Sequence, residues 1–311
     1  MRVVRSTTLA VAAVTSLLGL AACSGGSHDS ASGDGDRTAG PSVTASSPAT
    51  SPGGGKDTSV AQAVEALNVV EKRADAANSA KIESTMKAGD TMSTRSTGAM
   101  DWSDGNKAEM TITYTGGTYR DTIEKAGLGD TMRARYLTDA YYVNMGQKMS
   151  DQIGGKHWIR YGYDDLAKVA GGSGAFLSDQ LQNNNPSRSV QYIMASPNVH
   201  KVGSEDVRGV PTTHYSGTLD VDDVTEQTST DMTPQELADL QKTLKTAGVT
   251  TEQVDLWVSS DNLPVKAVSS AHASTGDTES TTYYSDFGTK VSVRKPAAGD
   301  YVDFTEMTGA P

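Results

Sequence analysis

From about Ala80 onward the apolar residues of this chain recur at every second position, in one short run after another. Ala108, Met110, Ile112 and Tyr114 share one parity, while Glu109, Thr111, Thr113 and Thr115 share the other. Met100 with Trp102, and Met132 with Tyr136, repeat the pattern. Successive side chains of a strand point to opposite faces, so each run specifies a strand with one apolar and one solvated face. Strands of that kind belong to antiparallel sheets, because parallel sheets are covered on both sides. Turn signals at Ser103-Asp104-Gly105, Gly116-Gly117 and Gly127 to Asp130 separate the runs, as a meander requires. Further runs at Tyr141 to Met145, His157 to Tyr161, Tyr215 to Val221, Val254 to Val258, Val265 to Ser270 and Thr281 to Phe287 extend the series.

Three stretches break the period of two. Between Ser59 and Asn78, Val60, Val64, Leu67, Val70 and Ala74 recur at three- and four-residue steps, with Ser59 and Gln62 as a capping pair. Between Tyr163 and Ser196, Leu166, Val169, Phe176, Leu177 and Leu181 form one helical stretch, and Pro186-Ser187 opens another through Val190, Ile193 and Met194. The third is the best marked: Thr233 as N-cap, Pro234 in the first turn, Glu236 closing the capping box, Leu237, Leu240 and Leu244 on one face, and Gly248 ending it. The class is therefore α+β, a long antiparallel sheet with helices inserted mid-chain. It forms one domain, because neither half has a closed sheet of its own. Apolar residues make up 36 % of the chain, with 3 Phe and 3 Trp against 12 Tyr and 11 Met. That is thin for several enclosed layers and fits one broad core, wet on one side.

The first residues carry an address. Arg2 and Arg5 precede an uncharged, mostly apolar run from Leu9 to Leu20, long enough for the core of a secretory leader and short of a membrane span. The run ends in Leu20-Ala21-Ala22-Cys23-Ser24, which resembles the bacterial lipobox, and Cys23 is the one cysteine of the chain. The resemblance implies cleavage before Cys23 and acylation of its thiol, and two or three acyl chains hold a protein stably on a bilayer. From Ser24 to Lys56 the chain is almost entirely Ser, Gly, Ala, Thr, Pro and Asp, with one large apolar residue, Val43. Such a stretch cannot bury enough surface to offset its ordering entropy, so it reads as a disordered tether with an end-to-end distance of roughly 30 Å. The expected organisation is a leader over 1–22, lipidated Cys23 and tether to 56, and a folded body over 57–311, anchored in the cell membrane on its extracytoplasmic face.

Within the body, Val207-Arg208-Gly209-Val210-Pro211-Thr212-Thr213-His214-Tyr215, Val254-Asp255-Leu256-Trp257-Val258, Leu263-Pro264-Val265 and Tyr284-Ser285-Asp286-Phe287-Gly288 resemble the C-terminal half of the actinobacterial LppX and LprG lipoproteins. With the lipobox, the tether and the opening helix, the resemblance spans nearly the whole chain. It implies a LolA/LolB-like fold: a strongly curved antiparallel half-barrel with helices over its concave face and a lipid-sized cavity between them. It implies the activity of that fold too, shielding acyl chains during transfer or holding a lipid at the membrane surface.

The residues themselves leave two interiors open. Seven of the 11 Met lie between Met86 and Met149, several on the inward parity. Unbranched thioethers suit a pocket for variable acyl chains and serve equally well as filler in a packed core. The scarcity of Phe and Leu in the strands favours a loosely filled interior. The candidate lining residues are Met100, Trp102, Met110, Ile112, Tyr114, Met132, Tyr136, Phe176, Leu177, Ile193 and Met194.

Other constellations point nowhere specific. Lys plus Arg is 27 against Asp plus Glu 38, net -11, and a body without Arg2 and Arg5 carries 25 against 38, net -13, so nucleic-acid phosphates and anionic head groups are repelled. A single cysteine excludes an internal disulfide and a thiolate metal site. His28, His157, His200, His214 and His272 form no ligand-spaced pair, and His214 reads as surface. Gly171-Gly172-Ser173-Gly174-Ala175 falls short of a nucleophile elbow and reads as a flexible joint or lid hinge. Asp220, Asp222, Asp223 and Glu226 lack the glycine and spacing of a calcium loop. No cofactor, metal or catalytic residue is expected. The leading reading is a membrane-anchored lipoprotein that binds a lipid or other long apolar ligand, with a membrane transporter or envelope protein as a further partner. The alternative is a non-carrier surface lipoprotein that senses or binds a protein.

Overall fold

A computed structural model describes residues 55–221 and 232–308. The leader, Cys23, the tether to residue 54, and Asp222, Asp223 and Glu226 lie outside the described residues. The first helix, α1 (Gly55–Asp75), begins four residues before Ser59. Ser59 and Gln62 are therefore interior to the helix and not its cap, and the last two residues assigned to the tether are helical. Leu67, Val70 and Ala74 are buried along one side of it. Asn78, at φ 64°, turns the chain into the sheet.

Next come β1 (Ser79–Ala88), β2 (Met92–Asp101) and β3 (Lys107–Gly116), then a short helix α2 (Thr118–Lys125), β4 (Thr131–Tyr136), β5 (Ala140–Asn144), helix α3 (Gln147–Gln152) and β6 (Trp158–Gly162). Two helices follow, α4 (Tyr163–Asn183) and α5 (Pro186–Met194), then β7 (His200–Val207) and β8 (Val210–Asp220). Helix α6 (Pro234–Thr246) precedes β9 (Thr251–Ser259), β10 (Pro264–Ala271) and β11 (Thr278–Ser285), and the chain closes with β12 (Tyr301–Asp303) and α7 (Phe304–Thr308). The twelve strands among the described residues form one curved sheet in the order β12-β6-β5-β4-β3-β2-β1-β11-β10-β9-β8-β7, antiparallel except where β12 runs parallel to β6. The expected α+β class and helix-covered curved sheet are what the chain adopts.

The alternation in β3 sorts as the period of two demands, with Ala108, Met110, Ile112 and Tyr114 buried and Thr111 and Thr115 exposed. Where the pattern was silent, burial explains why. Strand β7 was not expected, and it is an edge strand exposed at nearly every residue on both faces, so it carries no alternation to read. Helix α2, in place of a simple turn, buries only Ile123. Strand β12 is three residues long and is placed by hydrogen bonds from His157 and Trp158 to the Asp300 carbonyl, across more than 140 residues of sequence.

Helix α6 has the predicted cap, with the Thr233 hydroxyl accepting from the Glu236 backbone N–H and the Glu236 carboxylate accepting from the Thr233 N–H. It packs on α4 at Gly172, where a Cβ would lie 2.7 Å from the Glu236 carbonyl oxygen. The glycine cluster expected to be a joint or lid hinge is thus inside α4 and serves as the close contact between two helices. Val169, assigned to the buried side of α4, is 45 % exposed.

Two cores sit on the inner face of the sheet. One joins β1 to β6 with α4, through Met110, Ile112, Met132, Tyr136, Tyr141, Tyr161, Leu166 and Leu181. Its tyrosines stack, with Tyr141 and Tyr161 centroids 4.7 Å apart and Tyr161 and Phe304 4.9 Å apart, which is where the excess of Tyr over Phe is used. The other core joins β8 and β9 with α1 and α5, through Leu67, Val70, Val190, Ile193, Tyr215 and Leu256. A satellite core under α6 holds Phe176, Leu240 and Leu244. Among the described residues no helix is long and apolar enough to cross a membrane.

Candidate functional site

Between the two cores the inner face changes character. Ser84 of β1 pairs with Ser96 of β2 on one side and Thr282 of β11 on the other. One pair further along, Met86 lies between Thr94 and Ser280, and Ser280 in turn faces Ser269 of β10. The middle of the sheet is therefore floored by small hydroxyl side chains, while taller Met, Tyr, Leu and Val residues stand on either side. Helices resting on the taller residues cannot descend to the floor, and a cavity remains between them.

Its roof is the end of α4 and the start of α5. Asn185 caps α5, its Oδ1 accepting from the Arg188 N–H at 2.9 Å, and Pro186 occupies the first turn. That sharp start brings Asn184, Arg188, Ser189 and Tyr192 over the floor. Two hydrogen bonds tie roof to floor: Ser189 Oγ with Tyr284 Oη at 3.0 Å, and Tyr192 Oη donating to Glu252 Oε2 at 2.8 Å. The cavity so formed has a volume of about 150 Å³ and opens to solvent.

The lining is graded. Toward β1 to β4 it is apolar, with Ile82, Met100, Met110, Ile112, Tyr136 and Leu181. Gly98 of β2 helps, since it faces Met110 and leaves room for the thioether, whose sulfur would lie 2.5 Å from an added Cβ. Toward β9 to β11 polar groups join it, with Ser269, Ser280, Thr282, Ser189, Tyr192 and Glu252 set among Val254, Ala267 and Val268. Two ionisable groups of opposite sign border it. Arg188 is 8 % exposed and lies 3.7 Å from the buried carboxylate of Asp179. Glu252 is 5 % exposed, and burial pushes its carboxyl up to about 7, against the lowering effect of hydrogen bonds from Tyr192 and Ser269.

Four of the eleven candidate residues, Met100, Met110, Ile112 and Tyr136, are brought together on the cavity wall. The other seven are placed elsewhere. Trp102 lies past the end of β2 and donates its indole N–H to the Asp75 carbonyl at 3.1 Å, sealing the end of α1. Tyr114 and Met132 are filled-in core, joined by an O–H···S contact of 3.6 Å, and Leu177 packs on that same core. Phe176 turns toward α6, while Ile193 and Met194 face α1 and the β8–β9 core. Helical periodicity told which of these residues turn inward, Val169 excepted, and could not tell against which neighbour. The floor serines and threonines and the Asn184 to Tyr192 segment were missed because neither is apolar. Small hydroxyl residues on the inward parity of four strands are the signal that identifies them.

The histidines stay apart. His214 is on the outward parity, yet it is not open surface: its ring stacks on Trp257 at 4.2 Å and its Nε2 lies 2.7 Å from Asp255 Oδ1. His157 pairs with Asp300 and His272 with Asp277. Among the described residues no group of three or more potential ligands is placed to hold a metal, and the cavity wall contains no histidine, cysteine or lysine. The wall can exclude water from an apolar chain at one end and hydrogen-bond a polar group at the other.

No family model matches the chain. It is 48 % identical over 249 residues to an uncharacterised 31.2 kDa Streptomyces griseus protein encoded between rplA and rplJ, covering 80 % of this chain and 81 % of that one. It is 36 % identical over 304 residues to a candidate lipoprotein of Streptomyces coelicolor, covering 97 % and 96 %. Among solved structures, LprF from Mycobacterium bovis aligns over 76 % of this chain and 98 % of its own at 16 % identity, with a TM-score of 0.45. The Mycobacterium tuberculosis lipoprotein LppX aligns over 74 % and 99 % at 14 % identity, with a TM-score of 0.42.

Proposed function

Since the chain belongs to one family with the Streptomyces coelicolor lipoprotein candidate and its Streptomyces griseus relative, we propose that it is a lipoprotein which holds a lipid or other long apolar ligand in the cavity between sheet and helices. In this reading residues 1–22 are the leader, Cys23 carries the acyl chains, and the segment to residue 54 lets the body work at the extracytoplasmic face of the cell membrane. The observation that carries the ligand is the cavity itself: about 150 Å³ left open between two well-filled cores, with Met100, Met110 and Ile112 on its wall. Burying each methylene of a tail there contributes about 0.8 kcal/mol, so a groove without any catalytic motif is enough to retain a ligand. The work this reading implies is retention or transfer, which asks only for exclusion of water from a tail.

Native mass spectrometry of the protein purified without detergent exchange tests this. A ligand-loaded species, releasing a long-chain compound on organic extraction, is the expected result. Repeated recovery of the unloaded chain from membranes of the producing cell would refute the proposal.

A further inference from the structure

Glu252 is the feature that a purely apolar carrier does not explain. Its neighbours across the sheet are Leu219 of β8 and Ala271 of β10, both apolar, and Leu240 and Leu244 of α6 lie on its far side. A carboxyl in such a row is unfavourable unless its oxygens are used. Tyr192 supplies one hydrogen bond and Ser269 a second, whereas a carboxyl group offers about four acceptor positions. Glu252 lies on the cavity wall, where an occupant can use the rest of that capacity.

The chemistry of the surroundings narrows what could meet it. Ser189, Ser269, Ser280, Tyr192 and Asn184 are hydroxyl and amide groups, each able to donate and to accept. They match an alcohol, which also does both, better than a phosphate or sulfate, which only accepts. The charged groups around Glu252 are Arg188 of α5, held by Asp179 of α4, and Asp220 at the end of β8. An anionic head would meet the Glu252 carboxylate there, and the Arg188 guanidinium already has the buried Asp179 carboxylate 3.7 Å away. Size narrows it further. An interior of about 150 Å³ is on the scale of an engineered pocket that takes up one benzene ring, so it admits part of one chain and not several.

We propose that Glu252 and Tyr192 form a head-group subsite for an uncharged, hydroxyl-bearing group of a single-chain amphiphile, whose tail lies along Met110 and Ile112. This rests on the cavity being a ligand site, and the test separates the two. Binding of 1-monolauroylglycerol, laurate and dodecane to the full chain is measured at pH 8 by displacement of an apolar fluorescent probe, for the natural protein, Glu252→Gln and Glu252→Leu. The expected result is that monolauroylglycerol binds more tightly than dodecane or laurate. Its advantage over dodecane should persist in Glu252→Gln and fall about tenfold in Glu252→Leu, the loss of about one hydrogen bond, with dodecane binding unchanged. An advantage that survives Glu252→Leu overturns the subsite, as does laurate binding as well as monolauroylglycerol. If dodecane binds and shows the same affinity as monolauroylglycerol, the head-group subsite alone is wrong. If none of the three binds the natural protein, the ligand site itself is wrong. Unchanged near-ultraviolet circular dichroism in both variants certifies the fold.

Discussion

Filling the cavity with a side chain should stabilise the empty protein and abolish its response to ligand. Ser280 is the best place to do so. It is 9 % exposed, sits on the floor between Met86 and Ser269, and points at the open volume. An unfilled cavity costs about 24 cal/mol per Å³ relative to a filled one. For about 150 Å³ that comes to at most about 4 kcal/mol, the same as burying about four or five methylenes. A tail that occupies the space recovers up to this amount, and for a domain of this size each kcal/mol moves the melting temperature by about 2–4 °C, giving a rise of roughly 7 to 15 °C at saturation. Ser280→Phe places a ring there instead. The variant should melt no lower than the natural protein without ligand, and the ligand-induced rise should shrink to roughly 2 °C or less, about the effect of half a kcal/mol. Thermal unfolding followed by circular dichroism, with and without monolauroylglycerol, reads both quantities. Ala267→Leu, on the neighbouring strand, repeats the experiment with a smaller addition should the ring overpack the site. A full rise in both variants would show that ligand binds elsewhere, and no rise in the natural protein would show that the cavity does not receive a tail.

Glu252 should also make stability depend on pH. Its carboxyl is raised from the ordinary 4.5 to about 7, so between those values the folded protein holds a proton that the unfolded chain releases. Stability therefore falls as pH rises through that window, by about 3 kcal/mol in total. Urea unfolding at pH 4.5 and pH 8 should show this fall and Glu252→Gln should flatten it; an unchanged slope in the variant would assign the effect to other groups. Ile112→Asp puts a carboxylate where the natural side chain is 1 % exposed, a change of several kcal/mol with no partner available. Cooperative unfolding should be lost or ligand retention abolished, and a folded variant that still binds would mean the cavity does not use this wall. Cys23→Ala should release the protein from the membrane fraction into the medium, and continued sedimentation with membranes would rule out acylation of Cys23 as the anchor.

Sequence alone determined much of what depends on near neighbours. The alternation of Met110, Ile112 and Tyr114 with Glu109, Thr111 and Thr113 specified a two-faced strand because side chains one residue apart must point oppositely. The Thr233-Pro234-Glu236 cap placed α6 to within a residue, since its hydrogen bonds close within four residues. The class of fold followed from summing such local readings. Tertiary structure alone decided which buried residues meet. Tyr114 and Met110 share a strand face and a parity, yet one is sealed in core, with Tyr119 of α2 packed on it at 5.0 Å between ring centroids, and the other borders a cavity. The cavity exists where Ser84, Ser269, Ser280 and Thr282 fall in adjacent rows of strands separated by nearly two hundred residues of chain. Glu252 reaches its partner Tyr192 across sixty residues. Register and helix placement are set by the total area that the whole body can bury, and no window of sequence contains that sum.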